Sequence, residues 1–539
     1  MKNTAPIRRL RFGALLVFVF AVFALQAGYK KGELVWRCEF AESDLAKYAI
    51  KTGDDGYGFV CQWRKDGGKS GDGAMRFKTR SMGETSMIAV TPDVKLTGRL
   101  FVEAQVRGTE IGPGRNHWNG PKVMLPYTPK PGAAKTYPQL PNESGSFDWK
   151  IWIKVFDIPE TAEGQMFALG LEEAAGEFWI DYVRVYRAEE VTDDPNAPAP
   201  FNEAAAKIPR GPFAGRHNPA ALRGVMSGCK MDEESIANLQ SWGANLVRLQ
   251  IGLGHVENLD DYFAKLEKKL DWAQEVMDRC ARHGMKVCID LHQPPRCTAT
   301  KHASNVFVDN YDTTPLKKAW RMIAGRFKDH PATYAYDISN EPACSPYAWD
   351  RIFRDVMKDL RTVDAKTPLV TETHLFWYEG ENVIYSPHFY SPHTLTHCGV
   401  GGNNTIRWSY PGYIDGIYWD KEQMRVDLQP WIELSLAHPE ARFLVGEFSC
   451  ILWSKGADKY IRDAIDIFEE YGWDWTYHAY REWQAWDVEY THDENYTIDR
   501  FIKAKTDTDR KKELMKGLMY NRSAQPSCEG RDTVRTRDL

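Results

Sequence analysis

From about residue 220 the chain alternates short apolar runs with longer stretches of helical period. The runs are ALRGVMSG (221–228), NLVRLQ (245–250), KVCIDLH (286–292), TYAYDISNEP (333–342), PLVTETH (368–374), VIYSPHFY (383–390), FLVGEFS (443–449) and WDWTYHAY (473–480). Between them lie amphipathic segments such as DYFAKLEKKLDWAQEVMDRCARHG (261–284) and YAWDRIFRDVMKDLRTVD (347–364). Apolar runs separated by helix-length polar-faced segments are the pattern of repeated β-α units in a parallel sheet, and eight such units predict a closed (β/α)8 barrel. The interval between the fifth and sixth runs is too short for a full helix, so that unit is expected to be irregular.

Residues 33–190 read differently. Short alternating runs such as RLFVEAQVRG (99–108), FDWKIWIKVFDIP (147–159) and GEFWIDYVRVYRA (176–188) are broken by Gly, Asp and Pro. Long amphipathic helices are nearly absent, which predicts an all-β sandwich, jelly-roll-like in kind. A segment rich in Pro, Ala and Asp at 191–210 suits a linker. The expected fold class is therefore α/β, with the sandwich preceding a barrel over 211–520 that closes its own core. A tail from 521 to 539 is expected to be disordered.

The first 27 residues carry Arg8, Arg9 and Arg11, then an apolar run from Phe12 to Leu25 and a small Ala27. This is the form of a cleaved secretory signal, and the run is shorter than the roughly 20 apolar residues that a membrane span needs. The expectation is an exported protein with no stable membrane insertion after cleavage.

Composition narrows the choice of partner. The net charge is -5 over 539 residues, and Lys and Arg are interspersed with Asp and Glu, so no basic stripe suggests a nucleic-acid groove. The 19 Trp and 25 Tyr offer flat faces of the kind that stack on sugar rings, although core packing must account for most of them. Ten Cys show no tight metal-type spacing and predict no particular pair. No cofactor is implied.

In such a barrel the chemistry sits at the C-terminal ends of the strands. Those ends hold Arg248, His292, Asn340 with Glu341, His374, His388, Glu447 and the region after His478. Glu341 and Glu447 end the fourth and seventh strands, which are nearly opposite in an eight-membered ring, so their carboxyls can face one another across a pocket. Glycoside cleavage with retention needs that arrangement. One carboxyl protonates the leaving oxygen and the other, about 5 to 5.5 Å away, attacks the anomeric carbon.

Asn340-Glu341-Pro342 after a strand, Glu447 in VGEF and the Asn245–Arg248 segment together resemble glycoside hydrolase family 5, over roughly residues 205–520. The resemblance implies a retaining cellulase or mannanase type of enzyme acting on β-linked oligo- or polysaccharides without a metal. It implies Glu341 as general acid/base and Glu447 as nucleophile. Arg248 would support the nucleophile, Asn340 would bond the sugar 2-hydroxyl, and His292, His388 and Tyr390 would surround the cleavage point. The eighth strand departs from the family pattern: His478 stands where many members have a sugar-stacking Trp, with Trp483 and Trp486 following. Either Trp is a candidate platform.

The sandwich resembles the carbohydrate-binding modules found beside such enzymes, through its closing GEFWIDYVRVY run. Trp118, Tyr127 and Trp149 are its candidate stacking rings, against the alternatives of core or interdomain packing. Two other functions compete for the barrel. His374, His388, His393 and His397 suggest a metal-dependent hydrolase, against which ALRGVMSG supplies no paired His on the first strand. A non-catalytic glycan-binding protein would have no need of both carboxylates. The long loop after the sixth strand, HCGVGGNNTIRWSYPGYIDGIYWD (397–420), is expected to wall the cleft. The glycan, the linkage, internal or terminal attack, and oligomeric state are properties that spacing does not determine.

Overall fold

A computed structural model describes residues 28–54, 60–69, 71, 73–112, 118–191, 199–295, 307, 311–344, 346–400, 408–492 and 501–523. The expected signal (1–27), most of the first half of the expected linker (192–198) and the tail from 524 lie outside the described residues.

Residues 28–191 form two antiparallel sheets around one core. The larger has seven strands: Gly53–Asp54, Val60–Arg64, Ala74–Thr79, Gly176–Val191, Gly98–Ile111 and Gly145–Ile158 in that order, with Gly28–Cys38 also paired to Gly176–Val191. The smaller runs Ser86–Val90, Phe167–Glu172, Gly120–Met124. Strand side chains alternate between faces, and in the larger sheet both faces are covered. Leu100, Val102 and Ala104 point into the sandwich core with Trp152 and Phe156. Phe101, between them in sequence, joins the barrel's core cluster, with Ile153 and Val155 packed against it.

The barrel strands are Arg223–Ser227, Leu246–Gln250, Lys286–Asp290, Thr333–Asp337, Leu369–Thr371, Val383–Tyr385, Arg442–Val445 and Asp474–Tyr477. All are parallel, and the first pairs with both the second and the eighth to close the ring. Helices at 233–242, 259–282, 314–327, 346–360, 421–437 (in two pieces), 457–471 and 509–518 surround it. The fifth unit has no helix between its strand and the sixth, as its short interval predicts.

Two features hold this ring in place. Arg223, fully buried at the start of the first strand, donates from Nε and Nη2 to the two oxygens of Glu469, at 2.6 and 2.7 Å. Its Nη1 donates to Asn521 Oδ1 at 2.9 Å, and Asn521 Nδ2 donates to the Arg223 and Gly243 carbonyls. The first strand is thereby tied to the last described helices. The second feature is the described part of the loop after the sixth strand. Its hairpin, Gly412–Ile414 with Ile417–Trp419, turns toward the sandwich, so that Gly416 sits under Phe101 and Ile153 and Trp408 meets Tyr29 edge-on at 6.4 Å.

Candidate active site

The fourth barrel strand leaves its ladder at Asp337, short of residue 342, where the apolar run was expected to end. The freed segment turns Asn340 inward, where its Oδ1 accepts from Arg248 Nη2 at 3.0 Å, and brings Glu341 to the cleft, half exposed. Glu341 takes a left-handed backbone conformation, φ 42°.

On the opposite side the sixth and seventh strands are prolonged by a second short parallel pair, His388–Phe389 with Glu447–Phe448, which sets His388 directly beside Glu447. Gly446 makes this approach possible. A Cβ at that position would lie 2.7 Å from Ser386 Oγ and 2.8 Å from His388 Nε2, closer than real side-chain carbons come.

Glu447 is 4 % exposed and fully engaged. Arg248 Nη1 donates to its Oε1 at 2.7 Å, Tyr390 OH donates to its Oε2 at 2.8 Å, and His478 Nδ1 lies 3.5 Å from the same oxygen. Burial alone would raise the Glu447 pKa. The surrounding His388, His478 and Arg248 outweigh it and hold the carboxyl well below the usual range, so it stays ionised. One oxygen each of Glu341 and Glu447, with a nitrogen of His388, all lie within 4.8 Å of one another.

His388 links the two carboxyls. Its Nδ1 is 3.0 Å from Glu341 and 3.9 Å from Glu447, and its Nε2 is 3.3 Å from Glu372. Burial opposes its charge, yet Glu372, Glu447 and the Glu341 contact raise its pKa to about 10. Burial raises Glu372 as well, against the pull of His388. His388 carries the positive charge among the three carboxyl groups around it. His292 Nδ1 contacts Asp290 at 2.8 Å; burial lowers its pKa, but Asp290 raises it further. His478 is pinned between Tyr390 OH at 2.6 Å and Glu482 at 3.5 Å, its ring 4.8 Å from that of Trp486.

Of the residues expected at the site, the structure therefore gathers Arg248, Asn340, Glu341, His388, Tyr390, Glu447 and His478 in one connected set, with His292 one step away through Asp290. Trp483 stands further out, edge-on to Trp486 at 4.9 Å and packed near Phe501. Trp486 is the ring that meets the site, stacked on Tyr390 at 5.9 Å. The four His considered as metal ligands do not converge: His374 packs on Trp431, and His393 and His397 stack on each other at 3.9 Å. In the sandwich, Tyr127 is buried in the core, Trp149 carries the Arg107 guanidinium over its ring, and Trp118 is exposed.

Three buried carboxylates were missed. Asp290 and Asp337, at the ends of the third and fourth strands, lie 3.3 and 2.8 Å from Arg248 Nη2, and Glu372 lies 3.7 Å from it. Burial, then Arg248 against it, leaves Asp337 raised to about 6. For the two aspartates the available signal was an acidic residue closing an otherwise apolar strand run, as in VCID and TYAYD. A fully buried guanidinium needs such partners.

The chain is similar to several known proteins. Cellodextrinase A from Ruminococcus flavefaciens is 23 % identical over 202 residues, 33 % of this chain and 60 % of that protein, so the chain spans less than two thirds of the curated relative it matches. The endoglucanase Cel5A of Thermotoga maritima is 20 % identical at a TM-score of 0.43, covering 57 % of this chain and 99 % of its own. The cellulose synthase subunit Z of Clostridioides difficile is 14 % identical at a TM-score of 0.41, covering 56 % of this chain and 99 % of its own. Residues 214–487, about half of the sequence, match the family model described as Cellulase (glycosyl hydrolase family 5), and the chain belongs to that family.

Proposed function

We propose that this protein is an exported β-glycosidase that cleaves β-linked glycans of the glucan or mannan type with retention of configuration. The observation that carries this reading is the pair of carboxylate oxygens from Glu341 and Glu447 within 4.8 Å across the cleft. That spacing suits direct attack, whereas an inverting enzyme keeps its carboxyls about 6.5 to 9.5 Å apart to admit a water.

In this mechanism Glu447, ionised and oriented by Arg248 and Tyr390, attacks the anomeric carbon while Glu341 delivers its proton to the leaving oxygen. Glu341 then takes a proton from the water that hydrolyses the glycosyl-enzyme ester. In this reading Asn340, held by Arg248, bonds the sugar 2-hydroxyl, and Trp486 carries the sugar face. Export is supported by the basic and apolar pattern of residues 8–25. Among the described residues no helix is long and apolar enough to cross a membrane.

Proton NMR of the first-formed product tests the reading. Retention is expected, and an α-anomer appearing first from a β-linked substrate would remove Glu447 as nucleophile. Glu341→Gln should lose about 100- to 10,000-fold in turnover of substrates with poor leaving groups, and Glu447→Gln at least as much, with folding intact. A screen of β-glucans, β-mannans and aryl β-glycosides, with product lengths recorded, identifies the substrate.

A further inference from the structure

Glu372 lies one residue past the fifth barrel strand, beneath the cleft, and the chemistry above assigns it no part. Its side chain and that of His388 are each only 8 % exposed. One oxygen hydrogen-bonds Glu341 itself, and the other makes an ion-pair contact, without a hydrogen bond, to a residue that touches Glu341. Oε2 accepts the backbone N–H of Glu341 at 2.9 Å. Oε1 lies 3.3 Å from His388 Nε2, and the other nitrogen of that ring lies 3.0 Å from Glu341 Oε1.

Glu341 needs such a hold. A non-glycine residue in the left-handed region costs about 1 to 3 kcal/mol, so it persists only where its surroundings over-determine it. The half-exposed Glu341 carboxyl has no burial of its own to fix it. The other charged groups facing Glu372 and His388 are Arg248, Asp337 and Glu447.

We propose that Glu372 is a positioning residue for the acid/base, gripping Glu341 by its main chain directly and by its carboxyl through His388. This rests on Glu341 being the acid/base. The consequence is unequal: proton delivery loses both holds on Glu341, while Glu447 keeps its direct hydrogen bonds from Arg248 and Tyr390.

Aryl and alkyl β-glycosides of the preferred sugar, graded by leaving-group acidity, separate the two. In Glu372→Gln, kcat/KM should fall about 100-fold for an alkyl leaving group and change by less than about 3-fold for dinitrophenolate, which departs unprotonated. Azide should speed the dinitrophenyl reaction and yield the β-glycosyl azide, since water then lacks its base. Equal losses across the series, or no loss, would overturn the proposal. If Glu372→Gln does not fold, nitrogen-15 histidine NMR of the unsubstituted protein, with His388 assigned through His388→Asn, replaces it. Both ring nitrogens protonated above pH 8 supports the Glu372 arm, and a neutral His388 ring at neutral pH overturns it. Glu341→Ala is the control: a flat leaving-group profile there would bring down the acid/base assignment itself, whereas a steep one beside a flat Glu372→Gln profile would sink only this inference.

Discussion

Tyr390 and His388 show how single contacts set the charge state of the site. Tyr390 donates to the Glu447 carboxylate at 2.8 Å, a bond that favours the ionised form. Tyr390→Phe removes it, so the Glu447 pKa should rise and the acid limb of kcat/KM should move to higher pH, with a loss of about 10-fold. A pH profile with an unmoved acid limb would mean that Arg248 and the neighbouring histidines hold Glu447 ionised without the tyrosine. His388 leads to a stability prediction of the opposite sense. Its folded pKa, about 10, lies above its ordinary 6.5, so its contribution is complete below pH 6.5 and is lost as pH rises toward 10. Urea titrations of the protein and of His388→Gln should differ most below pH 6.5 and converge as pH approaches 10.

At the level of elements, the short His388–Phe389 and Glu447–Phe448 pair depends on Gly446. Gly446→Ala would drive a methyl group into His388 Nε2, and a displacement of about 1 Å at catalytic groups can cost about 100-fold in kcat/KM. Calorimetry should show the variant folded, and the loss should appear in the kinetics. All eight barrel strands were legible in the sequence because each is buried on both faces and writes a mostly apolar run. Arg248, Asn340, Glu341 and Glu447 were legible as a cluster because polar residues in or just after such runs converge on one end of a barrel. Glu372 was not, because a carboxylate after three strand residues carries no periodic signal and its partners, Arg248, His388 and the Glu341 amide, come from other units. The hairpin at 412–419 was unreadable for a related reason: its apolar residues have a partner only once the sandwich is in place.

At the scale of the whole molecule, the sandwich and barrel share packing around Phe101 and Ile153. Phe101→Ala, at a fully buried position between them, should cost about 3 kcal/mol by denaturant titration. A chain starting near residue 205 should keep its carboxylates in place but melt at lower temperature than the full chain, because Trp408 and the hairpin lose their cover. An unchanged melting temperature would show that the shared packing contributes nothing. The tie between Arg223, Glu469 and Asn521 has a further consequence, for the order of events at the ribosome. The sandwich is complete by residue 191 and can condense while synthesis continues, but the first barrel strand keeps an uncompensated guanidinium until the helices carrying Glu469 and Asn521 have been made. For most of its translation the barrel half is a row of open-edged units, and it is in that interval, before the final helix emerges, that the nascent chain is most exposed to aggregation and most dependent on chaperones.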